Sequence, residues 1–221
     1  MNFIQNLKTY FENQKSVLIG NTKDLDSNYW AKFKGDATLN LDPEKLVDAS
    51  EGTDHPPMMI PTKHNIIAYF VEDKLPQSVV LDIGCGYGRM NLFYKIKEYW
   101  GIDTTPEMII NAVELNKPIN NFHAFSVFNG KKFPFTNSLF DYAFCSTVML
   151  HLKIGTVKRY AEEVWRILKD NGEFIVNFPN NSNLPLIESI FSNFSMNVLD
   201  GNYCGTDTVY SFKKVTSKQK P

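Results

Sequence analysis

The feature that most constrains this chain is a short apolar run that leads directly into a glycine-rich turn. Residues 79–88 read Val-Val-Leu-Asp-Ile-Gly-Cys-Gly-Tyr-Gly. Such a run predicts a buried strand, and glycines at 84, 86 and 88 let the backbone turn tightly and let a ligand approach the main chain closely. The free N–H groups of the turn, and of the helix that should follow, then face the ligand. We therefore expect a nucleotide-like ligand at the carboxyl end of this strand.

The sequence around this turn alternates between strand and helix patterns. Strands that alternate with helices imply parallel βαβ units, so the predicted fold class is α/β with a doubly wound sheet. The predicted strands span residues 79–83, 99–102, 122–128, 140–148, 173–178, 195–200 and 208–213, and the predicted helices span residues 62–71, 108–115, 158–168 and 182–194.

Composition narrows the classes of partner. The 221 residues are 43% hydrophobic and 21% charged, an ordinary globular balance. Lys and Arg number 23 and Asp and Glu 24, so a net charge of −1 supplies no electrostatic reason to expect nucleic acid or an anionic membrane as a partner. The three cysteines, at 85, 145 and 204, form no CxxC pair, so neither a disulfide framework nor a metal site is expected. A cytoplasmic location without a membrane span fits these features.

The first 61 residues lack this alternation, and we expect them to form an N-terminal helical or lid extension ahead of a ligand-binding domain at 62–221. Residues 1–20 carry apolar side chains at helical spacing. Residues 21–60 look irregular, and so long a loop in a compact domain is often a lid or substrate cap, although a poorly ordered linker fits the same pattern. Tyr29 and Trp30 are candidate substrate-binding aromatics of such a lid, and core packing is their other interpretation.

The glycine spacing distinguishes between nucleotide-binding motifs. A dinucleotide fingerprint, G-x-G-x-x-G, would need its third glycine where the chain has Arg89, and no phosphate-binding G-x-x-x-x-G-K-[ST] run is present. The pattern Asp-x-Gly-x-Gly-x-Gly at 82–88 resembles motif I of the class I S-adenosylmethionine-dependent methyltransferases. The resemblance implies a Rossmann-like fold with a seven-stranded, mostly parallel sheet. It also implies that S-adenosylmethionine contacts Asp82, Gly84, Cys85, Gly86 and Gly88.

A second element of the resemblance closes the next predicted strand at Trp-Gly-Ile-Asp, residues 100–103. The carboxylate of Asp103 can accept two hydrogen bonds from a ribose diol, each contributing about 1.5–3 kcal/mol because the acceptor is charged. Asp103 also precedes Thr-Thr-Pro-Glu, so capping of a helix N-terminus is the competing interpretation. Its place behind a glycine turn favours the ribose role, and the resemblance adds Thr104 and Met108 as cofactor contacts.

A third element, Phe128-Asn129-Gly130, lies where the family usually carries an Asp that binds the adenine amino group. The Asn side chain can accept the same hydrogen bond without a charge, so the contact would be weaker. A backbone contact to adenine through the N–H groups of Asn129 and Gly130 is also open. A plain Asn-Gly turn is the remaining interpretation of this segment.

A fourth element, residues 140–146, resembles motif IV, whose end lies beside the transferred methyl group. We therefore expect Cys145 and Ser146 to flank the sulfonium. His151 matches a position where many small-molecule members carry a histidine in the substrate pocket. His151 and His55 are the candidate catalytic bases. A structural histidine and a solvated Pro-rich linker, respectively, are the competing interpretations.

The resemblance implies transfer of a methyl group from S-adenosylmethionine to an O, N or C nucleophile, which leaves S-adenosylhomocysteine. The chain lacks the Asn/Asp-Pro-Pro-Tyr/Phe tetrad that related enzymes use on adenine or glutamine amino groups, and it has no basic stripe. A small molecule is therefore favoured over nucleic acid as the acceptor. A protein or RNA methyltransferase is one alternative. A cofactor-binding partner or regulatory subunit without catalysis is another, and the oligomeric state is left open.

Overall fold

A computed structural model describes residues 66–215, and these residues form one seven-stranded sheet. The strands are β1 (Val79–Ile83), β2 (Glu98–Asp103), β3 (Phe122–Val127), β4 (Phe140–Cys145), β5 (Leu168–Pro179), β6 (Phe194–Tyr203) and β7 (Asp207–Lys214). They lie in the order β3-β2-β1-β4-β5-β7-β6. Strands β1 to β5 pair in parallel, whereas β7 runs antiparallel between β5 and β6. The predicted seven-stranded, mostly parallel sheet is therefore confirmed.

Helices connect the parallel strands on both faces of the sheet. None of the helices in the described residues is long and apolar enough to cross a membrane. The α-helices are α1 (Arg89–Phe93), α2 (Pro106–Asn116), α3 (Ile154–Ile167) and α4 (Leu184–Ile190), and shorter 3-10 helices span Ile67–Val71, Leu75–Gln77 and Met149–His151.

The sheet separates two apolar cores because successive side chains of a strand point to opposite faces. On β1, Leu81 and Ile83 face the core that contains the buried side chains of α3 and α4. Val80 faces the other core, which contains the 3-10 helix Ile67–Val71 and Met90 of α1. Burial on both faces is what parallel strands need, and it explains their nearly continuous apolar sequences.

The strand order places a ligand-binding edge at β1. This strand lies between β2 and β4, so the chain winds outward from β1 in both directions. The carboxyl ends of parallel neighbours meet at one edge of the sheet, so the residues that follow β1, β2 and β4 lie there together. In open α/β sheets this switch point is where ligands bind.

Several predicted boundaries are wrong by a few residues. The predicted strand 140–148 ends at Cys145, because Thr147 takes a left-handed backbone conformation with φ 59° and the chain turns away from the sheet. The predicted helix 62–71 appears as the 3-10 helix Ile67–Val71 in its described part. Helix α3 begins four residues before the predicted residue 158. The extension 1–61 lies outside the described residues, so its predicted helix and lid, and the domain boundary, stay predictions.

The connection from β3 to β4, all of which the structure describes, contains no helix. Phe128, Phe133 and Phe135 fill the core there instead. Arg166 of α3 holds this connection, since its Nη1 donates to the Phe135 carbonyl at 2.6 Å and its Nη2 to the Phe133 carbonyl at 3.1 Å. Glu163 accepts from the Phe133 N–H at 2.8 Å and pairs with Arg166 at 2.6 Å. Hydrogen bonds from side chains to the main chain thus stabilise this connection, as backbone hydrogen bonds stabilise a helix.

We expect Arg166→Met to lower the free energy of unfolding by about 2–4 kcal/mol, because it removes the cation that pairs with Glu163 and the donor to two carbonyls. Burial alone would raise the pKa of Glu163, but hydrogen bonds from Arg166 and the Phe133 amide lower it below its usual range. A lowered pKa means that this stabilisation is present above about pH 4.5 and is lost as the pH falls through the lowered value. Urea unfolding of wild type and variant from neutral to acid pH measures it.

The matched control is Lys158→Met, which removes the same charge from an exposed position of the same helix. It should change stability by less than about 0.5 kcal/mol. Equal losses in the two variants would show that Arg166 contributes only a surface charge.

Candidate active site

The glycine turn between β1 and α1 is anchored to the end of β2. The N–H groups of Gly84 and Cys85 both donate to the Ile102 carbonyl, at 2.8 and 3.1 Å. Gly84, Gly86 and Gly88 have φ values of 72°, 53° and 72°, a region that strongly favours glycine. The turn that the sequence predicted therefore requires its three glycines, and it lies beside the residue that ends β2.

The three glycines serve different physical purposes. A Cβ added at Gly84 would lie 2.3 Å from Val148 Cγ2, and one at Gly88 would lie 2.6 Å from the Phe125 ring. These two glycines allow close packing. A Cβ at Gly86 would meet no atom of residues 66–215 within 4 Å, so within this part of the chain the main chain of Gly86 is open on that side. The open face of Gly86 is where a ligand can approach the backbone.

Asp103 links the end of β2 to this turn. Its Oδ2 accepts from the Gly86 N–H at 3.1 Å, and its Oδ1 accepts from the Thr105 N–H at 2.9 Å. The second bond lies just before α2, whose N-cap is Thr105, so Asp103 does not itself cap that helix. A carboxylate has about four lone-pair positions, and the Thr105 hydroxyl and the Thr104 N–H also interact with this one. Burial raises the pKa of Asp103, and the hydrogen bonds from Thr105 and Gly86 oppose that rise.

Asp82 lies one strand away on β1 and is 6% exposed. The Tyr99 hydroxyl donates to its Oδ2 at 2.7 Å. Burial raises the pKa of Asp82 to about 6, against the hydrogen bond from Tyr99 and the charge of Arg89, while the charge of Asp103 adds to the rise. The edge therefore holds two carboxyl groups that repel each other when both are ionised. A cation bound beside them would relieve that repulsion.

The third predicted element also comes to this edge. The Phe128 N–H donates to the Asp103 carbonyl at 3.0 Å, which brings residues 128–130 next to the ribose candidate. The Phe128 ring is buried in the core, at 7% exposure. Asn129 is exposed, and its Oδ1 accepts from the Lys131 N–H at 3.0 Å, so its carbonyl oxygen already has one donor. Gly130 has φ 70°, as the turn interpretation expects.

The predicted residues at the end of β4 divide between core and edge. Cys145 is fully buried in the core on the α3 side, and burial raises the pKa of its thiol. Ser146 is half-buried at the turn that follows. His151 is exposed at the end of the 3-10 helix Met149–His151. Partial burial lowers the pKa of His151, so its imidazole is neutral near neutral pH.

Comparison with known proteins identifies the domain. Residues 81–176, which contain the glycine turn, Asp103 and the end of β4, match the family model of a methyltransferase domain. This part of the chain is therefore similar to a methyltransferase domain, as the resemblance of its sequence to the class I S-adenosylmethionine-dependent methyltransferases implies. The glycine turn lies where that resemblance places motif I.

Solved structures share the methyltransferase fold at low identity. The YcgJ protein from Bacillus subtilis is 17% identical, with 71% of this chain and 100% of that chain covered and a TM-score of 0.61. A methyltransferase from Aquifex aeolicus is 15% identical over 79% and 99% of the chains, with a TM-score of 0.57. Magnesium protoporphyrin IX methyltransferase from Synechocystis, solved with bound S-adenosylhomocysteine, is 16% identical over 67% and 79%, with a TM-score of 0.54.

The described residues fit the cofactor of this methyltransferase family. Among the described residues, the open face of Gly86 leaves room for a ligand beside the main chain, and the carboxylate of Asp103, which can accept from a ribose diol, lies next to it. Two carboxyl groups on neighbouring strands suit a cofactor that carries positive charge. The other predicted contacts, Thr104 and Met108, are half-buried next to Asp103.

The structure adds Tyr99 and Val148, which the sequence analysis missed. Tyr99 opens an apolar run and looks like a core residue. In the register of β1 and β2 it faces Val80, so it lies diagonally beside Asp82 on the same face of the sheet. A hydroxyl within a buried strand is a sequence signal that an acceptor is nearby. Val148 packs on Gly84, and no sequence pattern predicts that contact.

We expect Gly86→Ala to fold with a loss of about 1 kcal/mol, because its φ disfavours a side chain but no atom stands in the way. Its methyl group would occupy the open face and weaken S-adenosylhomocysteine binding. Gly84→Ala should lose about 2–3 kcal/mol or more of stability, since its methyl group would overlap Val148. Urea unfolding and calorimetric titration separate the two effects. Unchanged binding by Gly86→Ala would place the cofactor elsewhere.

A second prediction concerns Asp82, whose raised pKa makes ionisation costly in the fold. We expect Asp82→Asn to raise the free energy of unfolding by about 1–3 kcal/mol near pH 8. The Asn oxygen still accepts from Tyr99, and the buried charge is gone. A raised pKa means that Asp82 contributes stability below about pH 4 that is lost as the pH rises through about 6. The advantage of the variant should therefore vanish near pH 4, and an advantage that is independent of pH would refute this cause.

Proposed function

We propose that this chain is an S-adenosylmethionine-dependent methyltransferase whose acceptor is a small molecule. The observation that carries the proposal is the position of Asp103. Its carboxylate accepts from the Gly86 N–H, so a ribose hydroxyl that donates to it would lie beside the open face of that glycine. A ribose acceptor next to an open glycine face suits the nucleoside part of S-adenosylmethionine.

The reaction asks the chain mainly to position its reactants. When bound, S-adenosylmethionine supplies a methyl group on a sulfonium, and transfer leaves S-adenosylhomocysteine. The chain's residues then orient the acceptor in line with that methyl group and exclude water. The contact between Val148, in the turn after β4, and Gly84 of the glycine turn supports such a role for the turn after β4. Ser146, on the same turn, is proposed to lie beside the sulfonium.

An acceptor that carries a proton also needs a base, and His151 is the proposed one. It is the last residue of the 3-10 helix Met149–His151, which follows the turn after β4. Its lowered pKa keeps the imidazole in the proton-accepting form near neutral pH. The proton from the acceptor atom would move to an imidazole nitrogen as the new bond to carbon forms.

Exposed apolar side chains support a small acceptor with an apolar surface. Leu150 and Ile154 follow β4 and are 40% and 49% exposed, and Leu184 follows β5 and is 40% exposed. These positions follow the carboxyl ends of neighbouring strands, where an acceptor enters. A nucleic acid would need a cluster of Lys and Arg at this place, but residues 147–157 contain only Lys153.

The extension 1–61 is proposed as a lid or cap over the acceptor. In this proposal Tyr29 and Trp30 contact the substrate and His55 is a second candidate base. All three residues lie outside the described part of the chain, so their roles rest on the sequence alone.

The alternative from another class is a cofactor-binding partner without catalysis. Both candidates bind S-adenosylhomocysteine, and only the enzyme consumes S-adenosylmethionine. Incubation with a panel of small-molecule acceptors, with product S-adenosylhomocysteine as the readout, separates them. A protein or RNA methyltransferase would instead respond only to macromolecular acceptors.

Thermal unfolding with added ligands tests the cofactor directly. S-adenosylmethionine, S-adenosylhomocysteine and NAD are each added near 100 times a typical dissociation constant. A true ligand at that excess stabilises the fold by about 2.7 kcal/mol, which is several degrees for a domain of this size. The proposal predicts a rise with the two sulfur compounds alone. A rise with NAD alone would overturn it.

We expect Asp103→Ala to weaken S-adenosylhomocysteine binding by about a hundredfold or more, because two charge-assisted hydrogen bonds to the ribose are lost. Calorimetric titration of the folded variant measures the loss. The matched control is Asp170→Ala, which removes the same side chain from an exposed position at the opposite edge of the sheet. Tight binding by Asp103→Ala would refute the ribose role.

A further inference from the structure

The turn that follows β4 contains a strained residue. Thr147 has φ 59°, a left-handed conformation that β-branched residues rarely adopt. Such a conformation costs about 1–3 kcal/mol and persists only where the surroundings hold it. The next residue, Val148, packs on Gly84 of the cofactor turn. The conformation of Thr147 therefore decides where Val148 meets the cofactor turn.

Asn177 of β5 holds this conformation. Its side chain is 1% exposed, and its Oδ1 accepts from the Thr147 N–H at 2.8 Å. Its Nδ2 donates to Asp207 Oδ2 on β7. In the register of β5 and β7, Asn177 faces Val209, so Asp207 is its diagonal neighbour on the same face of the sheet. The pair joins β7, β5 and the turn after β4.

The chemistry of the pair fixes the orientation of the amide. An ionised carboxylate only accepts hydrogen bonds, so Asp207 requires the NH₂ group of Asn177 to face it. The carbonyl oxygen of Asn177 must then face Thr147, where a backbone N–H is the donor. The Thr147 N–H can only donate, so it favours the same orientation of the amide. The two partners, one at each end of the amide, thus hold the Asn177 side chain in a single orientation.

We propose that Asn177 and Asp207 are positioning residues that hold the turn at 146–148 against the cofactor turn and so set the affinity of the site for the cofactor. The inference rests on the proposed function. A polar residue within the buried apolar run Phe-Ile-Val-Asn-Phe was the only sequence signal of Asn177.

The variant Asn177→Asp tests the role of the pair, because it should make the affinity for S-adenosylhomocysteine depend on pH. Near pH 5 the new carboxyl group shares a proton with Asp207, since two adjacent carboxylates cannot both ionise easily. Its O–H then donates to Asp207 and its carbonyl oxygen accepts from Thr147, as in the wild type. Near pH 8 both groups ionise, they repel, and the turn loosens. We expect S-adenosylhomocysteine affinity equal to wild type near pH 5 and about tenfold weaker near pH 8.

Other titratable groups near the pair either keep one charge state between pH 5 and 8 or affect the variant and the wild type equally. Burial raises the pKa of Cys204, which neighbours Asp207, and that of Tyr203, so both stay neutral from pH 5 to 8. Asp82 and His151 titrate at the same edge in variant and wild type alike. The quantity to compare is therefore the ratio of variant to wild-type affinity at each pH.

Asn180→Asp is the matched control. It places the same new charge on the same side of β7, where Asn180 bonds the exposed Thr208 hydroxyl and not the turn. Its affinity ratio should not change with pH. A second test uses Asn177→Ala, which should weaken binding about tenfold at any pH, because the Thr147 N–H loses its acceptor. Adding Thr147→Gly should restore most of the affinity, since glycine adopts this φ without strain.

Hydrogen exchange of the Thr147 amide completes the experiment. It should accelerate in Asn177→Asp near pH 8 together with the loss of affinity. A pH-independent affinity ratio, or faster exchange with unchanged affinity, would overturn the inference while the proposed function stands. A wild-type protein that fails to bind S-adenosylhomocysteine would overturn the proposed function and the inference with it.

Discussion

The candidate site depends on a carboxylate that accepts two main-chain N–H groups. Asp103 bonds Gly86 on one side and Thr105 on the other, so one side chain ties the turn after β1 to the start of α2. The parallel pairing of β1 and β2 makes this possible, because it brings the two strand ends to the same level. The hydrogen bonds that build the site thus also fix the position of the Asp103 carboxylate.

The glycines of the turn serve two purposes, close packing within the fold and access for a ligand. Gly84 and Gly88 are needed because Val148 and Phe125 approach them, whether or not a ligand binds. Of the three glycines of the turn, Gly86 is the one whose Cβ would meet no atom of the described residues within 4 Å. The pattern of glycines therefore partly reflects packing within the fold. Only Gly86, whose face is open, is direct evidence of a ligand.

The sequence predicted most of the fold because local patterns and parallel pairing agree. The short apolar runs became β1 and β2, and the glycine turn and Asp103 came together as expected. The end of β4 was predicted three residues too late, because Val148, Met149 and Leu150 continue the apolar pattern beyond Cys145. What stops the strand is the left-handed turn at Thr147, held by a residue 30 positions away. Long-range bonds of this kind, like that between Tyr99 and Asp82, leave no local periodicity.

The ionised side chain of Asp82 lowers the stability of the fold, but it favours the binding of a positively charged ligand. Asp82 is 6% exposed and its pKa is raised to about 6. Without a ligand, the fold is therefore less stable at neutral pH than it would be with an uncharged residue at this position. The charge of Asp103 on the next strand increases that cost, and Tyr99 and Arg89 reduce it only in part. A positively charged ligand between the two strand ends would stabilise both carboxylates and so offset this loss of stability. The electrostatics of the site are therefore completed by a cation, as the sulfonium of S-adenosylmethionine would do.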